Sequence, residues 1–411
     1  MQGGVGDYTS HLALALSRLG IEASVLTSKR ANLIPKAIDV FQDVEPIIDD
    51  WSLLHWRKVL DVVSKHRPDV LHIQYQTAGY GMHTAINLLP IRLRAMRGRP
   101  LIFVTFHDLK VPYLFPKAGP IRRLPGYLLA RYSDGVVATN SEDYLSLGGD
   151  APKEGRLKTT PEAFSLRDPS AQSELVISRF CGRPLFAIPI GSNIPKSPPV
   201  GYNREAWRRR LGVGDGDLLL AYFGFLNKSK GVDILLRAFE ELVRTGFKVR
   251  LLMVGGTYGD SDPTNLVYGQ HIQRQVETSL YRSRVMWTGF TSREEVSANL
   301  LASDVCVLPF NEGASMRHGS LMAAIVHELP IITTGLPGQR LHHPAFPDVS
   351  RAVKLVPPRD AEALARAIIE VGESATARSE LSKAAASIAS AFDWNVIGNA
   401  HVEAYRSLRG A

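Results

Sequence analysis

The sequence predicts an α/β protein of two doubly wound, Rossmann-like domains facing a central cleft. Three observations lead there. The chain has 411 residues, too many for one ordinary core, so two domains of about 200 residues each are expected. Strand-like and helix-like segments alternate almost throughout, the pattern of parallel sheets covered by helices. Near the middle, the Pro-rich stretch Gly191-Ser-Asn-Ile-Pro-Lys-Ser-Pro-Pro-Val200 interrupts that alternation. Its prolines disfavour helix and ladder alike, which marks it as the interdomain linker.

In the first domain, 1–190, strands are expected at 21–27, 69–74, 100–106, 135–139 and 184–190. A helix from about Tyr8 to Leu19 sets Leu12, Ala15, Leu16 and Leu19 on one apolar face, with Gly20 as its stop. A Rossmann-type domain normally opens with a strand leading into its glycine loop. Here the glycines begin at residue 3, so the first strand is expected to be missing, and a truncated start is favoured over a differently built sheet. The second domain, 201–391, alternates more cleanly. Its strands are expected at 217–225, 248–254, 284–288, 304–308, 330–334 and 353–356, and its helices at 231–245, 268–282, 292–302, 316–328, 360–373 and 377–391. A final helix at about 395–408 lies within a C-terminal segment, 392–411.

The bulk numbers narrow the function classes. With 45% hydrophobic and 21% charged residues the chain reads as soluble and globular. No apolar run approaches the roughly 18–20 residues that cross a bilayer. The N-terminus lacks a basic region followed by an apolar stretch, so no secretory signal is expected. Cys181 and Cys306 have no metal-ligand spacing and read as buried free thiols in a reducing compartment, which places the protein in the cytoplasm. The net charge of +8 is concentrated in 92–131, where nine Lys or Arg face one acid, Asp108, with Val111, Tyr113, Leu114, Phe115 and Tyr127 interleaved. Such a stretch reads as a solvated basic face, as a contact with anionic lipid, or as a site for an acidic acceptor. No nucleic-acid recognition motif accompanies it.

Four segments carry residues suited to chemistry. Gly3-Gly4-Val5-Gly6-Asp7, ahead of a helix, resembles a loop that lets the backbone approach a phosphate. An unliganded tight turn would read the same way. Phe223-Gly224-Phe225-Leu226-Asn227-Lys228-Ser229-Lys230-Gly231 follows an apolar strand and opens a helix. A lysine at such a turn can meet a diphosphate, where charge builds as a leaving group departs. In Pro309-Phe310-Asn311-Glu312-Gly313-Ala314-Ser315-Met316-Arg317-His318-Gly319-Ser320, Glu312 can accept hydrogen bonds from sugar hydroxyls. The amides near Ser315, Met316 and Arg317 would face an anion at a helix start. His107 ends a strand and so points into the crevice where open α/β sheets bind ligands.

The segments 3–19, 106–108, 188–194, 223–236, 251–256, 287–290 and 304–334 occur in an order that resembles the family 4 glycosyltransferases, retaining enzymes of the GT-B fold. The most specific part is Ala302-Ser303-Asp304-Val305-Cys306-Val307-Leu308-Pro309-Phe310, then Glu312-Gly313, then His327-Glu328-Leu329-Pro330-Ile331-Ile332-Thr333-Thr334. The resemblance implies transfer from a nucleotide-diphosphate sugar with retention, in polysaccharide or glycolipid synthesis, without a metal or other cofactor. It implies catalytic roles for Glu312 on the donor sugar, Lys230 on the diphosphate and His107. Donor contacts would come from Gly3, Gly4, Asn227, Lys228, Gly256, Ser315, Met316, Arg317 and Ser320. It also implies that the final helix crosses back onto the first domain and that the acceptor is recognised mainly by the first domain, where 92–131 is the candidate. From the basic and aromatic make-up of that stretch, a saccharide or lipid-linked acceptor at an anionic membrane surface is expected there.

Two positions depart from the family pattern. The usual second glutamate, which binds ribose hydroxyls, is Ser320, and the arginine of the diphosphate clamp is Phe225. Arg317 or Lys228 is expected to supply the missing charge. Other readings are a same-fold epimerase or phosphorylase, and a non-catalytic sugar-nucleotide-binding or scaffold protein.

Overall fold

The structure, a computed structural model, describes residues 4–29, 43–109, 124–149, 177–256, 263–336, 341 and 343–409. Gly3 and residues 110–123 of the basic stretch lie outside the described residues.

The first domain runs α1 (Gly4–Arg18), β1 (Ser24–Ser28), β2 (Asp43–Ile48), α2 (Trp56–His66), β3 (Val70–Tyr75), α3 (Leu89–Arg94), β4 (Leu101–Phe106), α4 (Leu124–Tyr132), β5 (Gly135–Ala138), α5 (Ser141–Ser146), β6 (Ile177–Phe180) and β7 (Arg183–Ala187). Its strands form a parallel pair, β1-β2, and a five-stranded sheet in the order β3-β4-β5-β7-β6. Among the described residues no strand joins β1 to β3. The glycine run is not a separate loop, because the helix already begins at Gly4.

Two strands escaped the sequence reading. β2 contains Pro46 and two acids, which mask its apolar register. β6 pairs antiparallel with β7 through a turn in which Cys181 and Gly182 both have positive φ, 52° and 76°. That geometry suits a two-residue hairpin. It also leaves Cys181 half-buried at the turn, not buried as expected, while Cys306 is buried.

The second domain runs α6 (Arg204–Arg210), β8 (Leu218–Phe223), α7 (Val232–Arg244), β9 (Val249–Val254), α8 (Pro263–Glu277), β10 (Val285–Trp287), α9 (Arg293–Ala302), β11 (Val305–Leu308), α10 (Gly319–Val326), β12 (Ile331–Thr334), β13 (Val353–Val356), α11 (Ala361–Glu373) and α12 (Ala375–Ala389). All its strands are parallel, in the order β10-β9-β8-β11-β12-β13. The strands are apolar on both faces because both faces are covered. Leu218, Leu220 and Tyr222 of β8 pack into one core, while Leu219 and Ala221 pack into another, as the two-residue strand period requires.

The last helix, α13 (Trp394–Arg409), closes the first domain from behind. Ile397 and Ala404 pack with Phe103, Val137 and Phe186 of the first sheet. The Trp394 indole donates to the Ser192 carbonyl at 2.7 Å, and Gly191 admits that ring, since a Cβ there would stand 2.5 Å from it. His401 Nε2 meets Tyr8 Oη of α1 at 3.1 Å, and the Tyr405 hydroxyl lies 2.6 Å from His72 Nδ1.

Candidate functional site

The second sheet reverses its winding between β8 and β11. At such a switch point the loops after the two strands part and leave a crevice for ligands. Those loops contain Lys230 and Glu312, so topology alone brings the two candidates together.

The first loop is held by its own side chains. Asn227 Oδ1 accepts from the Lys230 amide at 3.2 Å and from the Ser229 hydroxyl at 2.6 Å. Gly231 then turns left-handed, φ 66°. A Cβ on it would stand 2.0 Å from the Pro309 carbonyl oxygen, so the two loops touch backbone to backbone. Asn311 completes the weld: its amide donates to Ser229 O at 2.9 Å and its Nδ2 to Lys228 O at 2.5 Å. This seating puts the Lys230 ammonium 4.7 Å above the Phe310 ring, and burial pushes its pKa down to about 8. The Lys228 side chain is exposed, as is Phe225.

In the second loop Glu312 is exposed beside the turn closed by Gly313 N and Phe310 O at 3.1 Å. The His318 ring stacks on Phe310 at 3.7 Å, and its Nδ1 accepts from the Ser315 amide at 3.2 Å. The Arg317 amide lies 3.4 Å from the Ser315 hydroxyl. Two of the three amides expected to face an anion therefore have partners inside the loop. Gly319 and Ser320, in the first turn of α10, present amides that the helix itself cannot satisfy. Ser320 is buried and, among the described residues, its hydroxyl has no hydrogen-bond partner. Gly256 follows β9, the neighbour of β8, and stands next to Gly255, whose amide donates to Thr288 Oγ1 at 3.1 Å.

Arg317 points elsewhere. Its Nη2 lies 2.6 Å from Asp143 Oδ1, its Nε 3.3 Å from Asp143 Oδ2, and its Nη1 2.8 Å from Glu142 Oε2. The guanidinium thus crosses to the first domain and is engaged by two carboxylates there. Asp143 and Glu142 were not singled out from sequence. Within Asn140-Ser-Glu-Asp143 they read as a helix start, and Asn140 does cap α5 by accepting from the Asp143 amide.

From the first domain, His107 lies at the end of β4, with Nε2 3.0 Å from Gln74 Oε1 and its ring edge-on to Tyr8 at 4.5 Å. Burial, helped by nearby His401, lowers its pKa to about 3, so it is neutral near pH 7. Gly4 starts α1, and a Cβ there would meet nothing within 4 Å. The same helix end turns its Asp7 toward the second domain. Burial raises the Asp7 pKa against the opposing charge of Arg293 and a hydrogen bond from Asn193. A Cβ on Gly319 would in turn stand 3.9 Å from Asn193 Oδ1. Asp7 and Asn193 lie within the motif segments 3–19 and 188–194 without having been singled out, Arg293 lies outside them, and only the meeting of the domains makes the three neighbours. Among the described residues no cluster of three His, Cys, Asp or Glu side chains is placed to hold a metal, and no helix is long and apolar enough to cross a membrane.

Comparisons with known proteins follow the same two halves. The family described as glycosyl transferases group 1 matches residues 217–374, and the glycosyl transferase 4-like domain matches residues 3–145. Among curated proteins no sequence match was found. Sucrose-phosphate synthase from Thermosynechococcus elongatus superposes with a TM-score of 0.71 at 19% identity, over 99% of this chain and 94% of that one. HepE from Anabaena, solved with UDP and glucose, gives 0.68 at 18%, over 99% and 97%. WaaG, a glycosyltransferase involved in lipopolysaccharide biosynthesis, gives 0.59 at 15%, over 100% and 97%. Identities this low establish the fold alone. With a family match in each domain and the GT-B architecture across the whole chain, the protein belongs to the group 1, 4-like glycosyltransferases.

Proposed function

We propose that this glycosyltransferase moves a sugar from a nucleotide-diphosphate donor to a saccharide or lipid-linked acceptor with retention of configuration, in polysaccharide or glycolipid synthesis. One observation carries the donor reading. At the switch point a lysine with no carboxylate partner among the described residues stands in the loop welded to the one that leads into α10. At that helix start the Ser320 hydroxyl is buried and, among the described residues, unpartnered. A diphosphate would answer the ammonium and the first-turn amides, and a hydroxyl of the donor would answer Ser320.

Chemistry follows from where charge develops. As the glycosidic bond breaks, negative charge collects on the departing diphosphate. Lys230 and the α10 amides offset it in place of a metal ion. Glu312 orients the sugar hydroxyls, and His107 and Gly4 approach from the first domain. In this scheme the acceptor attacks the face that the leaving group vacates, and the diphosphate takes the acceptor's proton. The presence of UDP in the HepE structure makes uridine diphosphate sugars the first donors to try.

The acceptor side we assign to the first domain, at the cytoplasmic face of an anionic membrane. Exposed Ile91, Arg92, Arg97, Leu124, Tyr127 and Arg131 interleave charge with apolar surface, a combination suited to such a surface. Arg94 and Arg99, by contrast, are turned to Asp134 at 2.9 and 2.5 Å.

The deciding experiment is a donor and acceptor panel with EDTA present. Anomeric configuration of the product is read by NMR and free nucleoside diphosphate by a coupled assay. Release that depends on acceptor, with retention, supports the reading. Donor binding without turnover on any acceptor would make the protein a sugar-nucleotide-binding module instead. Cosedimentation with anionic but not neutral vesicles at low salt tests the membrane contact.

A further inference from the structure

Arg317 sits in the donor-side loop, yet its guanidinium spends Nε, Nη1 and Nη2 on the opposite domain. The Asp143 side chain is 2% exposed and that of Arg317 16%. Asp143 is also fixed in advance: Asn140 Nδ2 donates to its Oδ2 at 2.6 Å, and the Leu109 amide lies 3.4 Å from its Oδ1. A carboxylate so buried and so oriented holds a guanidinium in one place, and removing either partner strands a buried charge.

Charge balance points the same way. Asp143 and Glu142 contact Arg317, and Asp108 adds a third negative charge to its surroundings. With two carboxylates already on it, the Arg317 charge is answered from the first domain and is not presented to a diphosphate.

We propose that Arg317 and Asp143 are a positioning pair for the transfer reaction: a strut that sets how far the two domains close and holds the 312–318 loop in its working shape. Resting on the donor reading above, this leaves the diphosphate charge to Lys230. The strut reaches that lysine through a line of contacts. Arg317 N meets the Ser315 hydroxyl, Ser315 N meets His318 Nδ1, His318 stacks on Phe310, and Phe310 lies beneath the Lys230 ammonium.

The test compares Asp143→Asn, Arg317→Met and Arg317→Lys in the full chain. Two quantities are read: UDP affinity by calorimetry, and amide hydrogen exchange of 312–319 without ligand. A strut predicts that Asp143→Asn and Arg317→Met each weaken UDP by about tenfold, that the double variant is no weaker than either single one, and that each speeds exchange in 312–319. Arg317→Lys, which keeps the charge but not the two-pronged contact, should resemble Arg317→Met. An arginine acting directly on the diphosphate gives the opposite sign at Asp143→Asn, where the freed guanidinium tightens UDP, and near wild-type affinity at Arg317→Lys. Either result overturns the strut, as does unchanged exchange in Arg317→Met and Arg317→Lys. If UDP binds none of the proteins, wild type included, the donor reading fails, and the exchange data still decide the strut.

Discussion

The Lys230 ammonium rests 4.7 Å above the Phe310 ring and, among the described residues, forms no ion pair. A ring face offsets only part of the desolvation of a cation, so the site waits for an anion. Lys230→Met is expected to lower turnover by about 10²- to 10³-fold, the usual cost of removing one group that stabilises developing charge. The melting temperature of the ligand-free protein should hold or rise, because the replacement removes a desolvated charge. Steady-state kinetics beside a thermal melt separates the two effects.

The same lysine sets a pH dependence. Burial lowers its pKa to about 8, below the roughly 10.4 of an exposed lysine. The diphosphate binds the protonated form, so UDP affinity should be level below pH 8 and fall as pH rises through about 8. In the free protein the sign is reversed. Between about 8 and 10.4 the unfolded chain holds the extra proton, and stability from this group rises with pH. Calorimetric UDP titrations from pH 6.5 to 9.5 provide the check, and Lys230→Arg should abolish the fall.

Ser320 offers a second pair of opposite signs. Its hydroxyl is buried without a partner among the described residues, and an unsatisfied buried polar group costs about 1–3 kcal/mol. Ser320→Ala should therefore leave the ligand-free protein equally stable or more so, while raising the donor KM several-fold. A variant that melts lower and binds donor normally would assign the hydroxyl a structural role.

Gly231 tests the weld between the two loops. Alanine there must adopt a left-handed φ and place its Cβ against the Pro309 carbonyl. Gly231→Ala is expected to cost more than the roughly 1 kcal/mol of the backbone alone and to cut turnover by displacing Lys230. Urea unfolding and turnover on the same sample should fall together. Gly246→Ala is the control, because that glycine has φ 79° but nothing within 4 Å of a Cβ.

How far the sequence foretold this depends on how local each signal was. The second domain was legible almost strand by strand, since apolar runs such as Leu218–Phe223 and Val249–Val254 are buried on both faces and bounded by turn residues. That Lys230 and Glu312 serve one donor site was an expectation of the family resemblance, while the strand order that brings their loops together is seen only in the structure. β2 and the β6–β7 hairpin were not legible, because an acid-rich strand with a proline and a cysteine in a left-handed turn defeat pattern reading. The partners of Arg317 could not be read either. Asp143 lies 174 positions away, and nothing local distinguishes a capping carboxylate from one that crosses a domain boundary.

A last prediction concerns the return of α13. His72, His107 and His401 meet Tyr8 and Tyr405 beneath the first sheet, with His401 Nε2 3.1 Å from Tyr8 Oη and His72 Nδ1 2.6 Å from Tyr405 Oη. Burial lowers all three histidines. His401 falls to about 4, partly opposed by its bond to the Ile397 carbonyl. His107 falls to about 3, and His72 lies well below the usual value, both with help from the neighbouring imidazoles. An unfolded histidine takes a proton near pH 6.5. Stability from the three groups is thus full above that pH and is lost as pH falls from about 6.5 toward 4 and 3. The urea midpoint should drop across this window, with His11 and His327, also lowered by burial to about 4, adding to the slope from these three. His401→Gln keeps a polar partner for Tyr8 and should reduce the slope by about one proton. An unchanged slope in that variant would place the acid sensitivity elsewhere in the fold.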